Sequence, residues 1–108
     1  MQKENELTVG QWCGQWFTAN RHKWNSNTEG GYRNLIYSHI ISSIGSVALS
    51  DLTKQTITDF YDSLQNRGLC ARSVWCVHLL LRQCMDEAAQ EQLISYNPVR
   101  LCQEPNAE

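Results

Sequence analysis

Proline and glycine are scarce, two and six in 108 residues, which excludes a collagen-like or low-complexity chain. Long apolar runs are missing too. Val77 to Leu81 is broken by His78, and no run approaches the roughly 20 residues that cross a bilayer. The opening Met1-Gln2-Lys3-Glu4-Asn5-Glu6 is polar and has no apolar stretch of signal-peptide type, so a cytoplasmic protein is expected. Five cysteines (Cys13, Cys70, Cys76, Cys84 and Cys102) contain no C-x-x-C pair, and an odd count fits neither a disulfide framework nor a zinc site. Reduced thiols are expected, and no metal. There is also no Gly-rich phosphate loop, no H-E-x-x-H, no nucleophile elbow and no EF-hand loop. The three histidines and the carboxylates are scattered, and His39 and His78 fall on apolar stripes, where a core histidine hydrogen-bonded to backbone is expected. A free-standing enzyme and a bound cofactor are therefore not expected.

What is present is an apolar fraction of 42%, enough for one folded domain. Val9, Trp12, Cys13, Trp16, Phe17 and Asn20 follow helical spacing from about Thr8, the candidate N-cap, to His22. A second helix, capped by Thr28 or Ser26, runs to about Ser43 with Tyr32, Leu35, Ile36, His39 and Ile40 on its stripe, and Gly45 stops it. Val47 to Leu52 reads as an extended connector, since no partner strand is visible. Thr53 caps a third helix that buries Ile57, Phe60, Tyr61 and Leu64 and stops at Gly68. The fourth and longest, about Ala71 to Gln92, carries Val74, Val77, His78, Leu81, Cys84, Met85 and Ala88, with Leu80 widening the stripe. Asn97-Pro98 closes the fold, because the residue before proline is pushed out of helical geometry, and everything from Val99 reads as linker. Four helices without strands or repeats predict an all-α, four-helix bundle.

The formal charge of −2 does not favour nucleic acid. Its distribution says more. Residues 63–85 carry Arg67, Arg72 and Arg82 and no acid (+3), residues 86–108 sum to −4, and residues 1–62 to −1. A solvated helix surface also produces such segregation.

The segment Asn27-Thr28-(x3)-Tyr32-Arg33-(x5)-His39-Ile40-(x4)-Gly45-(x3)-Leu49-(x2)-Leu52-Thr53 resembles the SAM-like N-terminal core-binding domain of phage integrases and other tyrosine recombinases. The match continues through Ile57, Phe60, Leu64, Gly68-Leu69, Arg72-Ser73-Val74, Val77-His78, Leu81, Ala88, Ile94 and Asn97-Pro98. Thr8-(x3)-Trp12-(x3)-Trp16 is similar to the family's first helix. The resemblance covers residues 7–98. It implies a flexible tail at 1–6, a DNA-binding domain at 7–98, and a linker at 99–108 toward a catalytic domain. The family's catalytic arginine, lysine, His-x-x-Arg and tyrosine nucleophile lie downstream of the Asn-Pro, so no catalytic residue is assigned here.

The resemblance further implies that the second and fourth helices face duplex DNA, mainly its phosphates, which position the protein without reading sequence. On this chain those positions are Asn27, Thr28 and Arg33 on the second helix and Arg72, Ser73 and Arg82 on the fourth. Lys23 and Asn25 in the preceding loop are weaker candidates. An ordinary cap or a solvated arginine is the alternative reading of each. Two departures stand out: Cys70-Ala71 replaces a hydroxyl residue followed by proline, and Trp75-Cys76 replaces commonly basic positions. Trp75 can stack on a sugar or base, pack against the catalytic domain or lean on a neighbouring helix. The implied partners are double-stranded DNA and the parent's catalytic domain, with a monomeric fragment that binds DNA weakly alone. The competing expectation is a helical protein-interaction domain presenting Trp24, Tyr37 or Trp75.

Overall fold

The computed structural model describes residues 7–102. It is all-helical, with four helices and, among the described residues, no β-structure beyond an isolated antiparallel bridge between Thr8 and Ala48. Two compact units divide between Leu49 and Ser50.

In the first unit, α1 (Val9–Asn20) begins with a reciprocal capping box. The Thr8 hydroxyl accepts from the Gln11 N–H at 3.1 Å, and the Gln11 side-chain oxygen accepts from the Thr8 N–H at 3.0 Å, satisfying two donors that a helix start otherwise leaves open. The carbonyls of Val47 and Gly45 take the next two, from Val9 and Gly10. The segment 45–49 thus runs paired with the start of α1, where Val47 to Leu52 is expected as an extended, unpaired connector, and Leu49–Asp51 form a 3-10 turn instead. Only glycine fits at its corner. A methyl group on Gly45 would collide with the Ile41 backbone, and one on Gly10 would lie 3.0 Å from the Gly45 oxygen. The expected stripe, Val9, Trp12, Cys13, Trp16 and Phe17, is buried. α1 stops at Asn20 rather than His22, and Arg21–Lys23 form a 3-10 turn.

The second helix, α2, spans residues 26–44 in three parts: α-helical Ser26–Asn34, a π-helical stretch Leu35–Ile40, and α-helical Ile41–Ile44. Its cap is Asn25, whose side-chain oxygen accepts from the Thr28 N–H at 2.8 Å. The expected caps Ser26 and Thr28 lie inside the first turn instead. Ile36, Ile40 and Ile44 are buried along it, and in the wider turn the Ile41 N–H reaches the Ile36 carbonyl.

In the second unit, α3 (Lys54–Asn66) is capped by Thr53, which accepts from the Thr56 N–H. It ends where Gly68 adopts φ +98°, a backbone region that glycine enters without steric cost. α4 (Ala71–Gln90) buries every residue of the expected stripe, Leu80 included. Ile57, Phe60, Tyr61 and Leu64 of α3 are likewise buried. His78 is a core histidine, its Nδ1 paired with the Tyr61 hydroxyl at 2.8 Å, and burial pushes the Tyr61 pKa up strongly. His39 is only half-buried.

The linker expected from Val99 is corrected at its start. Pro98–Leu101 form a 3-10 turn capped by Asn97, and Val99 is fully buried. An apolar side chain with no exposure is worth roughly 1.5–3 kcal/mol relative to a solvated one, and this holds the segment to its unit. Residues 1–6 and 103–108, expected as tail and linker, lie outside the described residues.

Candidate nucleic-acid interface

Between residues 7 and 49 there are three basic side chains, Arg21, Lys23 and Arg33, and a single acid, Glu29. All three cations lie at the α1–α2 junction. Arg21 and Arg33 each reach the same Glu29 carboxylate oxygen, at 2.8 and 2.6 Å, and each remains about half exposed. Both guanidinium carbons also lie near the Phe17 ring, at 5.9 and 5.8 Å from its centroid, within reach of a cation–π attraction. Phe17 is held in turn by Trp24 at 5.7 Å and by the edge of Tyr37 at 6.1 Å; Trp24 packs on Trp16 and edge-on to Tyr32. The aromatic cluster thus sets two arginines around one carboxylate. The cluster carries net positive charge, and Lys23 stands exposed beside it in sequence.

The start of α2 adds polar groups. Asn25 engages the N–H groups of Thr28, through its side chain, and of Glu29, through its carbonyl. The helix-start N–H groups of Ser26 and Asn27 have no intrahelical partner, as geometry requires. Asn27 is exposed and Thr28 half-buried. The structure therefore brings Lys23, Asn25, Asn27, Thr28 and Arg33 to one junction, where Arg33 is ion-paired with Glu29. Sequence reading missed Arg21. The signal was the tripeptide Arg21-His22-Lys23, which the count over residues 1–62 averaged away against acids elsewhere in that window.

On α4, Arg72 and Ser73 are the second and third residues of the helix, after the N-cap Cys70, which makes no side-chain hydrogen bond to the backbone. The Cys70 sulfur instead lies 3.4 Å from the Ser73 hydroxyl, which lowers its thiol pKa. The Arg72 guanidinium sits 5.9 Å from the centre of the Trp75 ring. Arg82, expected on the exposed side, is half-buried, and Asn97 donates to its backbone carbonyl at 3.0 Å. Arg72, Trp75, Arg82 and Asp86 share one face of α4 by helical spacing. Of the three aromatics considered as a docking patch, Trp24 is packed into the cluster and Trp75 is half-buried; Tyr37 is 46% exposed.

Among the described residues no group of three or more His, Cys, Asp or Glu side chains could hold a metal ion, and no helix is long and apolar enough to cross a membrane.

An all-helical SAM-like domain with cations gathered at helix starts is the class that the fold and this surface define. The family model for the phage integrase N-terminal SAM-like domain matches residues 8–65, more than half of the chain, which therefore belongs to that family: it is the N-terminal SAM-like part of such integrases and not their catalytic domain. Solved structures agree over the whole length. The chain is similar to the integrase-like domain from Bacillus cereus (25% identity, TM-score 0.88, covering 100% of this chain and 91% of that one). It is also similar to the phage integrase SAM-like domain from Moorella thermoacetica (28% identity, TM-score 0.78, 98% and 92%). The lambda integrase dimer bound to a COC′ core site shares the fold at 20% identity and TM-score 0.85, over 96% of this chain but 29% of that one. No curated protein matches the sequence.

Proposed function

We propose that this chain is the core-binding domain of a tyrosine recombinase, gripping duplex DNA at a crossover site for site-specific recombination and integration. The observation that carries the proposal is the gathering of Arg21, Lys23 and Arg33 at the α1–α2 junction in a unit with one acid. Such a cluster meets phosphate at low desolvation cost, because guanidinium groups are weakly hydrated and fork-shaped. Lambda integrase, which shares the fold, is seen bound to a core site and, as a tetramer, to a Holliday junction; both support DNA as the partner.

In this reading Asn27 and the start of α2 receive a phosphate at the helix N-terminus, with Thr28 supporting the turn. Arg21, Lys23 and Arg33 neutralise neighbouring phosphates, while Arg72, Ser73, Trp75 and Arg82 form the second contact on α4. Phosphate contacts position the domain and carry little base information. Cleavage and rejoining belong to a separate catalytic domain of the parent protein, and the fragment itself is monomeric and cytoplasmic. A titration of the isotope-labelled chain with a short duplex, at low and then near-physiological salt, tests this. Shifts at Asn27, Arg33, Arg72 and their neighbours that fade with salt are expected, since each neutralised phosphate releases counterions. Scattered or absent shifts at low salt with duplex in excess would overturn it.

A further inference from the structure

Asp86 lies on the same face of α4 as Arg72, Trp75 and Arg82, and its side chain is 38% exposed. An acid in that place would repel phosphate. It also sits one turn beyond Arg82, the spacing at which opposite charges pair along a helix, so that an unengaged carboxylate would draw Arg82 toward itself. The structure occupies that carboxylate from elsewhere. Arg100, on the folded-back 3-10 turn, donates from Nε to Oδ1 at 2.8 Å and from Nη2 to Oδ2 at 2.7 Å. Asn97 adds a third bond, Nδ2 to Oδ1 at 2.7 Å, while its own oxygen accepts from the Val99 N–H. Three donors in fixed geometry, one pair of them bidentate, are the arrangement that cancels a carboxylate most completely. Buried Val99 anchors the turn from which they reach.

We infer that Arg100 is a positioning residue for DNA binding: by holding Asp86 from the C-terminal turn, it removes a repelling charge from the α4 face and leaves Arg82 available to phosphate. The inference rests on the DNA reading above. It assigns Arg100 no contact with DNA, and this is what makes it separable from an ordinary basic contact.

The test is fluorescence anisotropy of a short labelled duplex at low salt, with the unaltered chain and the variants R100A, D86N and D86N/R100A. R100A bares the acid and should weaken binding about fivefold, the effect of one unit charge near a surface phosphate. D86N alone should bind at least as tightly as the unaltered chain. The decisive variant is D86N/R100A, which removes both charges and should return to near the original affinity. A double variant as weak as R100A would overturn the inference, because Arg100 would then be touching phosphate or serving only to hold the fold. R100A binding as tightly as the unaltered chain would also overturn it. The Val99 amide resonance, followed in each variant, separates those two causes of failure: it moves if the turn has detached and stays if Arg100 was a direct contact. Absence of salt-sensitive binding by the unaltered chain would instead remove the DNA reading itself.

Discussion

Residues 7–49 and residues 50–102 are both helical, yet they carry charge in opposite styles. The first stretch has three bases and one acid, Glu29, clasped between two arginines on an aromatic cluster. The second has six acids and five bases spread along its surface, and the one acid on the proposed contact face, Asp86, is held by a turn from the end of the chain. In the proposed DNA reading the first unit attracts phosphate through its composition, and the second must first silence an acid. The formal charge of the whole chain, −2, describes neither, which is why it is a poor guide to what this protein binds.

The comparison can be broken most forcefully at the aromatic rings. Phe17 and Phe60 are equally buried, one in each unit, and truncating either to alanine should cost about 3–5 kcal/mol in chemical denaturation. Only Phe17 underlies arginines. The milder Phe17→Leu should therefore loosen DNA binding while Phe60→Leu leaves it unchanged, and equal behaviour in anisotropy would erase the distinction between the units. Next in size is the paired change Arg21→Ala with Arg33→Ala, which should lower the slope of log K against log salt by about 2, near 0.9 for each phosphate no longer neutralised. Arg67→Ala, at the far end of α3, should leave that slope alone.

A smaller effect separates the helix caps. Asn25→Ala removes a side-chain cap and should cost about 1 kcal/mol, whereas Cys70→Asp supplies α4 with a cap its sulfur does not provide and should gain a similar amount. The smallest expected change is with acid. Hydrogen bonds from Arg100 hold the Asp86 carboxyl below its ordinary value of 3.8, so its contribution is complete above 3.8 and disappears as pH falls through the depressed value. Arg100 and Val99 resonances should move as that depressed value is passed, in an acid titration followed by NMR.

The helices were legible because burial was. Every apolar stripe read from 3.6-residue spacing on α1, α3 and α4 is buried, and Thr8 and Thr53 cap as expected. What escaped was set by contacts distant in sequence or by wider periods. Nothing local marks Val99 as buried; that depends on the turn after Pro98 folding back over its unit. Nor does anything local mark the wider turn at 35–40, since buried residues four apart also line the regular helices α1 and α4. At the candidate site, helix-start residues could be placed from sequence, whereas Arg21 and the pairing of Arg33 with Glu29 required knowing that the end of α1 meets the start of α2.

The wide turn in α2 has a consequence for how this helix tolerates change in length. A π stretch amounts to one extra residue threaded into an α-helix, and Tyr37 and Ser38, within it, are exposed. Losing one codon from the middle of a helix ordinarily rotates everything downstream by about 100° and ruins its packing. Deleting Ser38 should instead let residues 35–40 relax to α geometry while the flanking turns keep their faces. The chain carries, in the middle of its second helix, a place where its reading can be shortened without its register being lost.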